Sequence, residues 1–197
     1  MGRAKGIYCL EVGEWFGSLK KKTSVEPLLQ LLEESPLRVP YIHRDIATYG
    51  ELVFYLNKWT QAKHNDYPIL YLAFHGEPGE IALAKQNGRT TYLSTEDLFS
   101  DLKGRCHKRI IHFGACSVLN IHGHTVNRYL RESCALAISG YTSYVDWVTS
   151  SAFDLLFLAQ LQSNQMTKSG ALAVRKRIGQ ITPTLSQRLN FRMVIKR

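Results

Sequence analysis

Three short runs in this chain are apolar on both faces: Ile69–Phe74 in YPILYLAF, RIIHFGAC at 109–116 and CALAISGYT at 134–142. A strand with one face in water alternates apolar and polar residues. A run without alternation needs cover on both sides, as in the middle of a parallel sheet. The segments between and after these runs read as helices. STEDLFSDLKG (94–104) opens on Ser94 and Asp97 as a capping signal and stops at Gly104. Residues 121–133, DWVTSSAFDLLFLAQLQ (146–162) and 168–178 carry the helical period. Upstream, GIYCLEV (6–12) and RVPYIHRD (38–45) read as strands. SVEPLLQLLEE (24–34) reads as a helix with Leu28, Leu31 and Leu32 on one face and Pro27 in its first turn. GELVFYLNKWTQAK (50–63) is amphipathic, IALA (81–84) continues as a hairpin arm, and NFRMVIK (190–196) suits an edge strand. Strands alternating with helices predict an α/β fold: one mostly parallel sheet of about six strands with helices on both faces.

A chain of 197 residues, 45% apolar, fills one core of ordinary size, so a single domain over 1–197 is expected. No apolar run approaches the ~20 residues that span a bilayer. The N-terminus lacks a signal-peptide pattern, and Gly6 stands where a myristoylation signal wants Ser or Thr. A cytoplasmic protein without membrane attachment is the expectation. The net charge of +9 raises nucleic acid as a partner. Yet the basic residues are scattered, apart from Lys20-Lys21-Lys22 and Arg175-Lys176-Arg177, and neither cluster is interleaved with stacking aromatics. A solvated basic face is the simpler reading. The four cysteines, Cys9, Cys106, Cys116 and Cys134, form no C-x-x-C pair and read as free thiols. Cys9 and Cys134 lie in strand-like stretches and are expected to be inert core residues.

Open α/β sheets place their sites beyond the carboxyl ends of the strands. His75-Gly76 follows one buried run and Cys116 ends another, about forty residues on. That spacing suits a crossover between neighbouring parallel strands. The imidazole then faces the thiol as base and later acid. The N–H groups of Gly76 and Cys116 are available to an oxyanion, and Gly114 and Ala115 let a substrate backbone come close. His112 lies inside its strand and reads as a satisfied core histidine. His43, His64 and His107 read as surface or loop residues. His122-Gly123 has no apolar strand before it, and a zinc site of His122, His124 and Cys116 lacks a fourth ligand. Neither a metal nor an organic cofactor is required.

An apolar strand with His-Gly, a spacer, and an apolar strand with Ala-Cys resembles the signature of the caspase-like cysteine peptidases, which include metacaspases, gingipain, clostripain and separase. The resemblance covers roughly 67–178. The segment ALAISGYTSYVDWVTSSAFDLLFLAQLQ resembles the caspase small-subunit stretch that leads into the wall of the specificity pocket. It implies a caspase-like α/β/α sandwich, a Cys116–His75 dyad cleaving a protein or peptide substrate, and substrate contacts from Ser143 and Tyr144. The likeness to bacterial separase-like peptidases implies a role in defence or cell death, switched on by a nucleotide-type small molecule or a protein partner. Ser117-Val118 after the thiol departs from the caspase pattern, and the cation that caspases carry after Gly-Tyr-x-Ser is absent. Val145 stands there, followed by Asp146. Asp146 in the pocket would invert the preferred substrate charge and select Arg over Lys; Asp154 is a second candidate, and capping of the next helix is the simpler role for Asp146. A non-catalytic signalling module and a basic nucleic-acid-binding domain are the rival readings.

Overall fold

The computed structural model describes residues 4–13, 20, 23–86 and 89–196. Lys21 and Lys22 of the basic run, and the Met-Gly start, lie outside them. The three doubly apolar runs become β3 (Ile69–Ala73), β7 (Ile110–Phe113) and β8 (Ala137–Tyr141), joined by β1 (Ile7–Glu11), β2 (Tyr41–Asp45) and β9 (Phe191–Ile195). The sheet order is β2-β1-β3-β7-β8-β9. All pairings are parallel except that of the edge strand β9. Every residue of β1, β3, β7 and β8 is buried, as strands covered on both faces must be.

Alternate strand residues enter two separate cores. Tyr8, Leu10, Leu70, Leu72, Ile111 and Phe113 meet α2 (Tyr49–Trp59), α3 (Thr95–Asp101) and α4 (Gly123–Ser133). Ile7, Cys9, Ile69, Tyr71 and Ile110 meet α1 (Glu26–Glu34), α5 (Trp147–Leu161) and α6 (Lys168–Ile181). This is an α/β/α sandwich. The predicted hairpin arm belongs to a small antiparallel sheet, β4 (Gly76–Glu77), β5 (Glu80–Gln86) and β6 (Arg89–Ser94), inserted between β3 and α3. A short helix, α7 (Pro183–Arg188), precedes β9. Among the described residues, no helix is long and apolar enough to cross a membrane.

Three sequence expectations need correction. The buried face of α1 is Leu29 and Leu32, with Val25 just before it, while Leu31 is 54% exposed. Cys134 lies in no strand: it ends α4 with φ 63°, a left-handed helix terminus, and is half-buried. His43 is no loop residue: it stands in β2 with Nε2 2.7 Å from Oε2 of the buried Glu11. By contrast, Ser94 caps α3 by accepting the Asp97 N–H, and Gly104 takes φ +70° beyond that helix, as expected.

Candidate active site

β3 and β7 are neighbours, and Leu72 pairs with Phe113. His75 and Cys116 each lie three residues past that pair, so they leave the sheet at the same level. Adjacent strands stand ~4.8 Å apart. Both side chains line one cavity of about 80 Å³. Its wall takes residues that follow the carboxyl ends of four strands: Val25 after β1, Phe74 and His75 after β3, Gly114 and Cys116 after β7, and Val145, Trp147 and Ser150 after β8. The strand order turns back on itself between β1 and β3, beside this cavity, where sheets of this type bind ligands.

Cys116 is half-buried. Its sulfur accepts the Val145 N–H at 3.4 Å and lies 3.5 Å from the Val145 carbonyl oxygen, so the loop after β8 fixes it from one side. The next residue, Ser117, is buried and takes φ 47°, a left-handed conformation that costs a non-glycine residue ~1–2 kcal/mol. The turn is held there because the Ser117 N–H donates to Ser143 O at 2.9 Å and Ser117 O accepts from the Asn120 N–H at 2.7 Å. Among the described residues the Ser117 hydroxyl has no hydrogen-bond partner. Backbone set in a sparsely populated region beside a candidate nucleophile is the kind of strain that sites store.

Gly76 is placed by close packing. A Cβ there would overlap Val118 Cγ2 and lie 2.7 Å from Cys116 O. The His75 carbonyl accepts the Ala82 N–H, and Gly76 pairs with Ile81. In an antiparallel ladder the residue beside a bonded pair turns its own N–H away from the partner strand. The Gly76 N–H therefore points away from β5. His75 itself is exposed. Two of the other thiols are unsuited to attack. Burial pushes the Cys9 thiol well above its ordinary value and the Cys106 thiol up to about 12, and neither lines the cavity.

The remaining expected site residues fall elsewhere. Ala115 is buried behind the turn, its methyl 3.2 Å from the position of a Gly76 Cβ, and it packs the loop together. Ser143 turns its hydroxyl to Leu189 O and holds Ser117 through its carbonyl. Tyr144 is 70% exposed, and its hydroxyl donates to Glu77 Oε2 at 2.6 Å, which bridges the β8 exit to the His75 loop. Asp146 does not reach the cavity. It is the exposed cap of α5, with Oδ1 accepting the Thr149 N–H at 2.8 Å, and the hydrogen bonds from Thr149 hold its carboxyl below the ordinary value. Capping wins because the residue sits where the chain enters the helix, with its side chain turned back over the first turn.

Asp154 is 2% exposed on the inner face of α5. Tyr71 donates to Oδ2 at 2.8 Å; the Tyr141 hydroxyl and His112 Nε2, at 2.8 Å, meet Oδ1. His112 Nδ1 lies 3.1 Å from Ser139 Oγ, so His112 is a satisfied core histidine. Burial, and then the Asp154 charge, push both tyrosine hydroxyls well above their ordinary values. Gly114 lies directly against this network, since a Cβ there would overlap the Tyr71 ring and come within 3.0 Å of Asp154 Oδ2. His122 and His124 stack on each other at the exposed start of α4. Among the described residues, no group of three or more His, Cys, Asp or Glu side chains is arranged to hold a metal ion. The sequence reading missed Val25, Phe74, Trp147 and Ser150 as cavity residues; the strand-end rule would have pointed to the loop after β1.

A family model described as "Family of unknown function (DUF6642)" matches residues 4–194. The chain belongs to this family. No curated protein matches it. Among solved structures it is similar to the crystal structure of caspase-1 from Spodoptera frugiperda, with 15% identity and a TM-score of 0.58 over 98% of this chain and 87% of that one. At that identity the likeness speaks for architecture alone: this member of the DUF6642 family has a caspase-like fold.

Proposed function

We propose that the chain is a cysteine peptidase whose nucleophile is Cys116 and whose general base and acid is His75. One observation carries the reading: the two side chains leave adjacent parallel strands at the same level and line the same cavity. In the proposed reaction the Cys116 sulfur attacks the scissile carbonyl carbon, its proton passing to His75. The N–H groups of Gly76 and Cys116 hold the oxyanion. His75 then protonates the leaving amine, and water activated by the same imidazole releases the acyl group from sulfur. No step needs a metal or an organic cofactor.

Cys116→Ala should abolish cleavage while leaving thermal unfolding close to that of the parent, because it removes one half-buried sulfur. His75→Ala should do nearly the same, and Cys9→Ala, Cys106→Ala and Cys134→Ala should each retain activity. Cleavage by Cys116→Ala at the parental rate would end the reading. Control from outside the chain, by an anionic small molecule or a partner, belongs to the same proposal and is supported by the net charge of +9. Cleavage by the purified protein should then be weak and rise on adding nucleotides or cell extract.

A further inference from the structure

The cavity beside Cys116 has a chemical character that differs from the charge-selective pocket expected from the sequence. Val25, Phe74, Val145 and Trp147 are half of the described residues that line it. Trp147 Nε1 is shut off from solvent, so the indole offers the cavity carbon. The polar contribution from α5 is Ser150, whose hydroxyl already donates to Asp146 O at 2.8 Å.

Neither Asp146 nor Asp154 serves the cavity. Asp146 faces solvent as a helix cap. Asp154 is buried on the α5 side, with Tyr71, Tyr141 and His112 directed at its two oxygens. A substrate guanidinium or ammonium in the cavity would lose its water and meet apolar walls, an expensive transfer. A substrate carboxylate would fare no better, since no lysine or arginine stands among the described lining residues to receive it. Size points the same way. A volume of about 80 Å³ is roughly half of the ~150 Å³ that accommodates benzene in an engineered apolar cavity. It suits three or four carbons.

We propose that this cavity receives the side chain before the scissile bond and selects a short uncharged aliphatic residue, Val or Leu, over Arg, Lys or Asp. The proposal rests on the reading of Cys116 and His75 as a peptidase pair. The geometry that carries it is the juxtaposition of four apolar side chains with the sulfur, and the withdrawal of Asp146 and Asp154 into structural hydrogen bonds.

The experiment uses the full chain with acyloxymethyl-ketone probes and fluorogenic peptides that differ at the residue before the cut: Ala, Val, Leu, Phe, Arg and Asp. Leu and Val should exceed Ala by roughly 10-fold or more, since each methylene in an apolar pocket is worth about that factor, and should exceed Arg and Asp by at least as much. Trp147→Ala should move the preference toward Phe by enlarging the cavity. Val145→Asp should raise Arg turnover relative to Leu by giving a guanidinium its missing partner. An Arg preference in the parent, lost in Asp154→Asn, would overturn the proposal by showing the buried carboxylate to be the pocket floor, while the peptidase reading survived. Failure of every probe to label Cys116 and of every peptide to be cut, with or without extract, would remove the peptidase reading and this proposal with it.

Discussion

Two residues around the thiol carry opposite kinds of constraint. At Gly76 there is no room for one more carbon, since Val118 Cγ2 and Cys116 O already occupy the place of a side chain. Gly76→Ala must part the β4 strand from the Cys116 turn, and overpacking of this sort costs ~1–3 kcal/mol. A lowered midpoint in thermal unfolding should accompany the loss of activity; an unchanged midpoint would contradict the packing argument. Ser117 is the reverse case. Its hydroxyl is buried with no partner among the described residues, and removing an unsatisfied polar group recovers ~1–3 kcal/mol of desolvation. Ser117→Ala should therefore unfold at a temperature a few degrees higher, at ~2–4 °C per kcal/mol for a chain of this size. Most buried substitutions do the opposite, so a drop would discard the idea. That His75 and Cys116 lie at one cavity was legible in the sequence because the strand-end rule needs only the order of apolar runs. Val25 was not, because its contact with the cavity crosses from a different strand and no local pattern marks it.

Among the elements, what could be read depended on how much each one buries. β1, β3, β7 and β8 are buried throughout and announced themselves. β6 escaped notice because half of RTTYLS is exposed and only Leu93 is buried, so it shows no apolar face. α7 has six residues, none of them buried. In α1 the pattern was degenerate: Leu28, Leu29, Leu31 and Leu32 offer two overlapping stripes, and packing against the α5 side chose the one with Leu29 and Leu32. The stretch GYTSYVDW was ambiguous in another way, because an Asp entering a helix satisfies both a cap and a pocket on paper. The structure separates the two roles, and so can a variant. Asp146→Ala should cost ~1 kcal/mol through loss of the α5 cap and leave the ratio of Leu to Arg turnover unchanged. The carboxyl is held below its usual value by its bonds to Thr149. The stabilisation is therefore present above pH 3.8 and lost as pH falls through the depressed value. A changed substrate ratio would return Asp146 to the pocket.

At the scale of the whole molecule, the cavity depends on the half of the sheet that carries neither His75 nor Cys116. Glu11, 1% exposed at the end of β1, accepts the Val25 N–H at 2.9 Å, the Ser24 hydroxyl at 2.6 Å, and meets His43 Nε2 of β2 at 2.7 Å. Val25 is thus a cavity wall held by a buried carboxylate, whose own partner is a histidine on the outermost strand. Burial of His43 disfavours its charged form, but the Glu11 hydrogen bond and charge, with Glu26 and Asp45 adding to them, more than offset this and raise its pKa above the ordinary 6.5. A group whose folded pKa is raised contributes stability that is complete below the unfolded value and is lost as pH climbs through the folded one. Here the loss begins above pH 6.5. Once His43 is neutral, Glu11 keeps its two bonds to the α1 entry but loses the charge that His43 brought to it. The unfolding temperature should fall between pH 6.5 and the raised His43 value, and His43→Gln, which keeps a hydrogen-bond donor but cannot titrate, should flatten that slope. Thermal unfolding is the appropriate measurement because turnover would also report His75 and Cys116. Parallel slopes for parent and His43→Gln would show that the pair does not govern stability in this range, and that Val25 is held without help from its charge.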